Sequence, residues 1–406
     1  MKLARKQDAK GYLVVFIFFS AFLYSNGSWA DNLSDLVSQR LNYMKDVAAY
    51  KWHNKLPIEN LARETVVLES AVTQGLRFGL MTTGSKSFFA VQIAAAKEIQ
   101  WYWFGQWRQH PNRIPESTAD LNTSIRPALI ALGENISQAF VNSDRSLTEL
   151  RVEGLSPPMI IALNDAAQAV ALYPDQLTQI QGSGLLRVGT TGDYAPFSLR
   201  EGTGRAQGVD IDLAENLAQS LGVNIVWVAT SWPRLMKDLH EGRYDIGMSG
   251  ISVNSQRRKT AFFSLPYHQG GKTAISRCDD SGKFNSLARI DQASTIVVVN
   301  PGGTNQKFVD SNIHSAKVRV HPDNRSIFKE LLEHRADVMI TDLIEVQLQV
   351  AKNPGLCAAM SGKTLTKTEK AFLLPQDNIW KDYVDGWMNT QETQDLIAER
   401  FGVHVP

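Results

Sequence analysis

Apolar positions change their period once along this chain, near residue 180. Before it they recur at helical spacing: Leu33, Leu36, Val37, Leu41, Met44 and Val47 form one stripe, which the Leu56-Pro57 break ends. The pattern resumes over 58–80 and over 87–107, where Pro111 and Pro115 punctuate its end, and further helical stretches cover 120–142 and about 158–172. An all-α bundle accounts for them economically. After 177–180 the Gly182-Ser183-Gly184 triplet marks a switch to short apolar runs alternating with amphipathic stretches. Strands are predicted at 185–188, 224–228 and 244–248, then at 296–299, 318–321 and 338–340, with AFLLP at 371–375 returning the chain to the first group. The fold class expected is multidomain. An all-α bundle over 31–178 and a linker at 179–184 precede a two-lobed α/β unit over 185–406, with lobe 1 at about 185–275 and 371–406 and lobe 2 at about 276–370.

Length agrees, since 406 residues exceed one ordinary core. The formal net charge of +1 argues against a nucleic-acid partner, and neither charge runs nor repeats stand out. In the first thirty residues, Lys2, Arg5, Lys6 and Lys10 precede an apolar run over 12–24, and Ser28-Trp29-Ala30 offers small residues where a signal peptidase cuts. Residues 1–30 are therefore expected to be an export signal, leaving a mature chain from Asp31 without stable membrane association; the alternative is an uncleaved membrane anchor, which the run disfavours by being shorter than the roughly 20 residues of a span. Two cysteines, Cys278 and Cys357, can pair in an exported protein or remain as two buried thiols. Without CxxC, HExxH or a histidine cluster, neither a metal nor another cofactor is expected.

In the helical half, Arg40 and Lys51 stand eleven residues apart, about three turns, and so share a face of the first helix. Arg63 opens the second helix and Arg126 lies in the fourth. Taken alone, such cations fit a solvated surface as well as a site, and Trp52, Trp101, Trp103 and Trp107 fit a core. The run AYKWHNKLPIENLARE, Arg40 upstream of it, Gln100 in AKEIQWYWFGQW and Arg126 in DLNTSIRPAL together resemble the secreted, gamma-type all-α chorismate mutases over most of 31–175. The resemblance implies that Arg40, Lys51, Arg63 and Arg126 surround a dicarboxylate, with Glu64 and Gln100 completing the pocket. Val67 and Ala96 stand where some relatives carry polar side chains. Lys51 and Gln100 are the expected donors to the ether oxygen of chorismate.

The α/β half places polar loops at strand ends, where open sheets bind small ligands. The 249–252 loop with Ser249 and Ser252 offers N–H groups and hydroxyls to a carboxylate, and Arg257 can fork onto one, though a surface role for it is also open. Asn300-Pro301-Gly302-Gly303-Thr304 precedes a helix start, another anion site. Asp342, at a strand end, suits either an α-amino group or a helix cap. The runs RVGTTGDYAPFS, TSWPRLM, DIGMSGIS, NPGGTN and HPDN, with the cysteine placement, resemble periplasmic cyclohexadienyl dehydratase, an enzyme on the solute-binding-protein fold. This implies a cleft for prephenate or arogenate that includes Asp193, Trp232, Ser249, Ser252, Arg257, Lys272, Thr304, Asn324 and Asp342. Placed by this resemblance, the family's general acid falls at Gln306, where an amide cannot serve as an acid; either Asp193, Lys272 or a water takes the role, or the acid lies at another position, or the cleft has reduced activity.

The expected whole is a bifunctional periplasmic enzyme acting on small molecules, with self-association and the choice of prephenate or arogenate left open. The alternative is a mutase fused to a non-catalytic pair of amino-acid-binding lobes.

Overall fold

The computed structural model describes residues 32–360 and 362–401; the expected export signal lies outside them. Among the described residues no helix is long and apolar enough to cross a membrane.

Seven helices build the first unit and its exit: α1 (Leu33–Asn42), α2 (Met44–His53), α3 (Leu61–Arg77), α4 (Thr82–Gln109), α5 (Arg126–Asn142), α6 (Pro157–Gln168) and α7 (Gln176–Ser183). Their starts follow from local chemistry. The Asn32 side chain accepts the Asp35 N–H at 2.8 Å, and that of Asn60 accepts the Arg63 N–H at 3.0 Å, each satisfying an otherwise unpaired donor. The long first helix expected from the stripe is broken at Tyr43, which keeps helical angles (φ −59°, ψ −16°). A π-turn at Leu121–Ile125, capped by Asp120, delivers Arg126 as the first residue of α5. The core gathers Leu33, Val37, Leu41, Phe88, Phe89, Trp107 and Phe140. Trp107 is fully buried and packs against Trp52 and Trp103, but Trp101, also assigned to the core, is 54 % exposed on the outer face of α4.

Two five-stranded sheets form the lobes. The first runs Asn224–Ala229, Leu185–Thr190, Ile246–Gly247, Leu373–Leu374, Phe262–Phe263; its first three strands are parallel, and Leu373–Leu374 is antiparallel to both neighbours. The second runs Lys317–Val320, Ile296–Val299, Val338–Asp342, Lys272–Arg277, Leu356–Ala358. Lobe 2 therefore begins at Lys272, slightly before the expected boundary, because that strand pairs in full register with Val338–Asp342. A two-stranded ribbon, His268–Gly270 against Thr368–Lys370, carries the chain out of lobe 1 and back. Cys278, just after the strand Lys272–Arg277, and Cys357, in the edge strand Leu356–Ala358, are joined in a disulfide.

The expected linker at 179–184 is instead the end of α7. Asp175 caps this helix, and Gly184 closes it in the left-handed region (φ +70°), so of the two glycines that mark the switch Gly182 belongs to the last helical turn and Gly184 is its terminator. Ile180 is fully buried in the lobe 1 core beside Leu186 and Leu213. Gln179 Nε2 donates to Leu76 O of α3 at 2.9 Å, and Gln176 Nε2 to Asp245 Oδ1 of lobe 1 at 2.8 Å, so α7 bonds to both units. Arg77 Nε adds a bond to Glu241 O at 3.2 Å.

A fragment beginning at residue 182 should thus lose about 2–5 kcal/mol of stability relative to one beginning at 174, the cost of removing a buried aliphatic side chain. Urea unfolding of the two fragments measures this, and equal midpoints would show that α7 is dispensable.

Candidate functional sites

A cavity of about 260 Å³ lies among α1, α2, α3, α4 and α5. Five cations, Arg40, Lys51, Arg63, Lys97 and Arg126, line it with one carboxylate, Glu64, and the remaining wall is largely apolar (Val47, Leu129, Ile130). Arg40 is 7 % exposed, and burial lowers its guanidinium to about 10. Lys51 is also lowered, by burial first and by Arg126 and Lys97, with Glu64 opposing; its ammonium donates to Ile58 O at 2.7 Å. Burial and then Arg126 lower Arg63. Lys97 bridges Glu64 at 3.1 Å and Glu59 at 3.2 Å, which compensates the one carboxylate in the wall. Arg40 Nε and Gln100 Oε1 are buried and bond to nothing among the described residues. The cavity therefore offers several donors with little internal anion to satisfy them, a fit for a small dicarboxylate.

Between the lobes, Asp342 occupies the centre of a second constellation. Its Oδ1 accepts Lys272 Nζ at 2.7 Å; its Oδ2 accepts Lys370 Nζ at 2.6 Å and the Tyr194 hydroxyl at 2.6 Å. Burial would raise this carboxyl, but the two ammoniums more than offset it and hold it well below the usual range. Lys370 also reaches Ser252 Oγ at 2.9 Å, and Lys272 reaches Thr304 Oγ1 at 2.9 Å and Asn305. Arg257, lowered to about 10 by burial, donates to Ser252 O at 2.8 Å and lines the cleft with Trp232, Asn300 and Asn324. Behind Asp342, Glu345 is buried, takes a hydrogen bond from the Thr341 hydroxyl, and is pushed up to about 7 by desolvation.

Residues 186–399 match the family model of bacterial extracellular solute-binding proteins, family 3, and residues 31–101 match chorismate mutase type II. The cyclohexadienyl dehydratase of Pseudomonas aeruginosa is 46 % identical over 235 residues, covering 58 % of this chain and 88 % of the relative. A secreted chorismate mutase of Yersinia pestis is 32 % identical over 130 residues, covering 32 % of this chain and 70 % of the relative. The chain belongs to solute-binding family 3, with a chorismate mutase domain ahead of it. Among solved structures, an ancestral amino acid-binding protein described as a precursor of cyclohexadienyl dehydratase aligns at TM-score 0.51 and 31 % identity, over 55 % of this chain and 97 % of that one.

In the mutase domain all six expected residues, Arg40, Lys51, Arg63, Glu64, Gln100 and Arg126, line one cavity, with the apolar Val67 and Ala96 beside them. Gln100 differs in detail, because its amide nitrogen donates to Ala96 O at 2.9 Å, one turn back on α4, and meets Met44 Sδ at 3.9 Å. Lys97 was not singled out beforehand; it stands one turn before Gln100 on the same face.

In the solute-binding half the fold brings Trp232, Ser252, Arg257, Thr304, Asn324 and Asp342 to the cleft wall, with Lys272 just behind. Asp342 is the N-cap residue of the helix Leu343–Lys352 yet makes no capping bond, because its side chain turns to the lysines. Ser249 is not on the cleft. Its fully buried hydroxyl is shared among Thr191 N (3.1 Å), Thr191 Oγ1 (2.8 Å) and Ser198, and so ties loops together. Gly250, itself buried, takes the place on the cleft wall in that turn at φ +63°, with its N–H on the buried Asp210 at 2.7 Å. Gln306 is also turned away, its Oε1 accepting Gly302 N–H at 2.6 Å to brace the NPGGTN loop. Asp193 accepts Trp232 Nε1 at 3.2 Å and faces a neighbouring cavity with Arg200 and Arg325. Asn300, in the loop expected to bind an anion, also lines the cleft, whereas Tyr194, Asn305, Glu345 and Lys370 were not singled out from the sequence.

Asp342→Ala would leave two buried ammoniums without their carboxylate, and should destabilise the chain by about 3–5 kcal/mol. Chemical unfolding near neutral pH measures the loss; a change under about 1 kcal/mol would mean the cluster relaxes freely.

Proposed function

We propose that this chain is a bifunctional exported enzyme that rearranges chorismate to prephenate in its helical domain and converts prephenate, or arogenate, to phenylpyruvate, or phenylalanine, in its cleft. The observation that carries the reading is the pairing of two built anion sites on one chain. One is a cationic cavity with no nucleophile in play, and the other is a cleft backed by a protonatable carboxyl. The likeness to a secreted chorismate mutase and to a cyclohexadienyl dehydratase supports each half. The signal-like residues 1–30 and the solute-binding family support export to the periplasm.

The first reaction is a unimolecular pericyclic step, so it needs restraint and charge stabilisation rather than a proton shuttle. Arg40, Arg63 and Arg126 hold the two carboxylates in the folded, reactive geometry. Lys51, with hydrogens left beyond its bond to Ile58 O, donates to the ether oxygen as negative charge grows there. Gln100 joins it by rotating its amide off Ala96 O.

In the second reaction Arg257 and Ser252 hold a carboxylate, and the Glu345 carboxyl, held by the Thr341 hydroxyl behind the cleft wall, is the reservoir from which the proton is relayed into the cleft. Asp342 cannot supply it, because two ammoniums keep it ionised, whereas Glu345 is protonated up to about neutral pH. As the proton reaches the leaving hydroxyl, the C–O bond breaks and water departs. The electron pair of the bond to the ring carboxylate moves into the ring, carbon dioxide leaves, and the ring becomes aromatic. The alternative of a lobe pair that merely captures an amino acid would need Asp342 for the α-amino group, but that carboxylate is already shared by Lys272, Lys370 and Tyr194.

Arg63→Ala in the protein lacking residues 1–30 should lower kcat/KM for chorismate by about 2–4 kcal/mol of transition-state stabilisation. Unchanged kinetics would remove Arg63 from the site. With prephenate supplied, kcat/KM should fall as pH rises through about 7, because the acid form of Glu345 is the active one. Glu345→Gln should cost about 10²- to 10⁴-fold in kcat with little change in KM. A Glu345→Gln protein that turns over prephenate normally would exclude this proton donor.

A further inference from the structure

On α4, Phe89, Gln92, Ala96 and Gln100 follow one another at three- and four-residue steps and so share the face turned toward α1. Gln92 lies behind the cavity wall. It is fully buried, 52 positions from Arg40 in sequence, and its Oε1 accepts Arg40 Nη1 at 3.0 Å. That is the one hydrogen bond of the Arg40 guanidinium among the described residues, whose other contact on this side is the Phe89 ring, 5.7 Å from Cζ to the centroid. Buried amides are normally paired on both ends, yet Gln92 Nε2 has no partner among the described residues. A glutamine used only to fill the core is a poor choice at this position, because leucine or methionine would fill the same space without an unpaired N–H.

We infer that Gln92 is a positioning residue for the mutase reaction: it fixes the plane of the Arg40 guanidinium so that the remaining N–H groups face the substrate carboxylate. The inference rests on the mutase reading of the cavity. A guanidinium recognises a carboxylate through a planar, two-point fork, so a rotation about its long axis removes one of the two bonds without moving the charge. A neutral amide oxygen suits this task better than a carboxylate would. It orients Arg40 without neutralising it, and leaves the positive charge for the ligand. The nearest carboxylate lining the cavity, Glu64, is bonded instead to Lys97, which keeps the two functions apart.

The test is a double-mutant cycle in the protein lacking residues 1–30, with chorismate consumption as the readout. Gln92→Leu should lower kcat/KM about tenfold, mostly through KM, since a misoriented anchor weakens ground state and transition state alike. Arg40→Ala should lower it about 100-fold, and Arg40→Ala with Gln92→Leu should be no worse than Arg40→Ala alone within about twofold, because Gln92 then has nothing to orient. Gln92→Glu, which keeps an acceptor at the same reach, should stay within about threefold of the parent in kcat while its KM rises, as the new charge competes with the substrate for Arg40. If Gln92→Leu lowers the helical circular dichroism signal, Gln92→Met, unbranched and of similar length, takes its place in the cycle. Losses that multiply in the double variant would overturn the inference and leave Gln92 a packing residue. A parent protein that leaves chorismate untouched would instead remove the mutase reading itself.

Discussion

Removing a guanidinium or ammonium from water costs several kcal/mol unless something negative replaces the solvent, and this chain does so at two places with too few carboxylates to match. In the helical domain five cations face one glutamate across a partly apolar cavity. Between the lobes, Lys272 and Lys370 share the single carboxylate of Asp342, and among the described residues Arg257 donates its side-chain hydrogen bond to a backbone carbonyl. A small dianion resolves the imbalance in each case. The same constraint fixes the chemistry that each site can carry. Excess positive charge without a nucleophile suits a rearrangement in which negative charge migrates. Excess positive charge beside a desolvated acid suits the expulsion of hydroxide as water.

The scaffold keeps these charges in place through elements that differ in kind. Helix α4 carries Gln92, Lys97 and Gln100 on one long rigid rod, so the mutase cavity is built against a single reference. The cleft instead is assembled across a ribbon of two short strands, with Asp342 from lobe 2 meeting Tyr194 of lobe 1 and Lys370 of the ribbon. Helix α7 joins the two systems by burying Ile180 in one and hydrogen bonding to the other. The two halves therefore meet through a packed helix rather than a tether.

Much of this was legible in the chain. The six cavity residues of the mutase domain could be read only through the resemblance to secreted chorismate mutases, because the spacing of the cations alone fits a solvated surface as well; the structure sets Arg40, Lys51, Arg63 and Arg126 each on its own helix. Strand positions in both lobes were legible from the residues themselves, since short apolar runs bounded by glycine and proline leave few alternatives. What failed was whatever depends on burial or distant pairing. Lys370 meets Tyr194 across 176 residues, a juxtaposition that no local pattern encodes. Ser249 and Gln306 belong to loops of the right kind, but their side chains serve those loops internally, which residue type cannot reveal. Glu345 had a visible signal, standing three residues after Asp342 on a helix, but its protonation follows from a desolvation that only the packed structure supplies. Gly182 and Gly184 misled in the opposite sense, because the end of a helix closed by a left-handed glycine and an interdomain linker share the same composition.

The central claim is that the two sites act in sequence on one carbon skeleton. Chorismate supplied alone to the protein lacking residues 1–30, followed by proton magnetic resonance, tests it most directly. The account predicts that chorismate disappears, prephenate rises and falls, and phenylpyruvate accumulates in its place. Prephenate that builds up to the full amount of chorismate consumed, with no aromatic product, would contradict it.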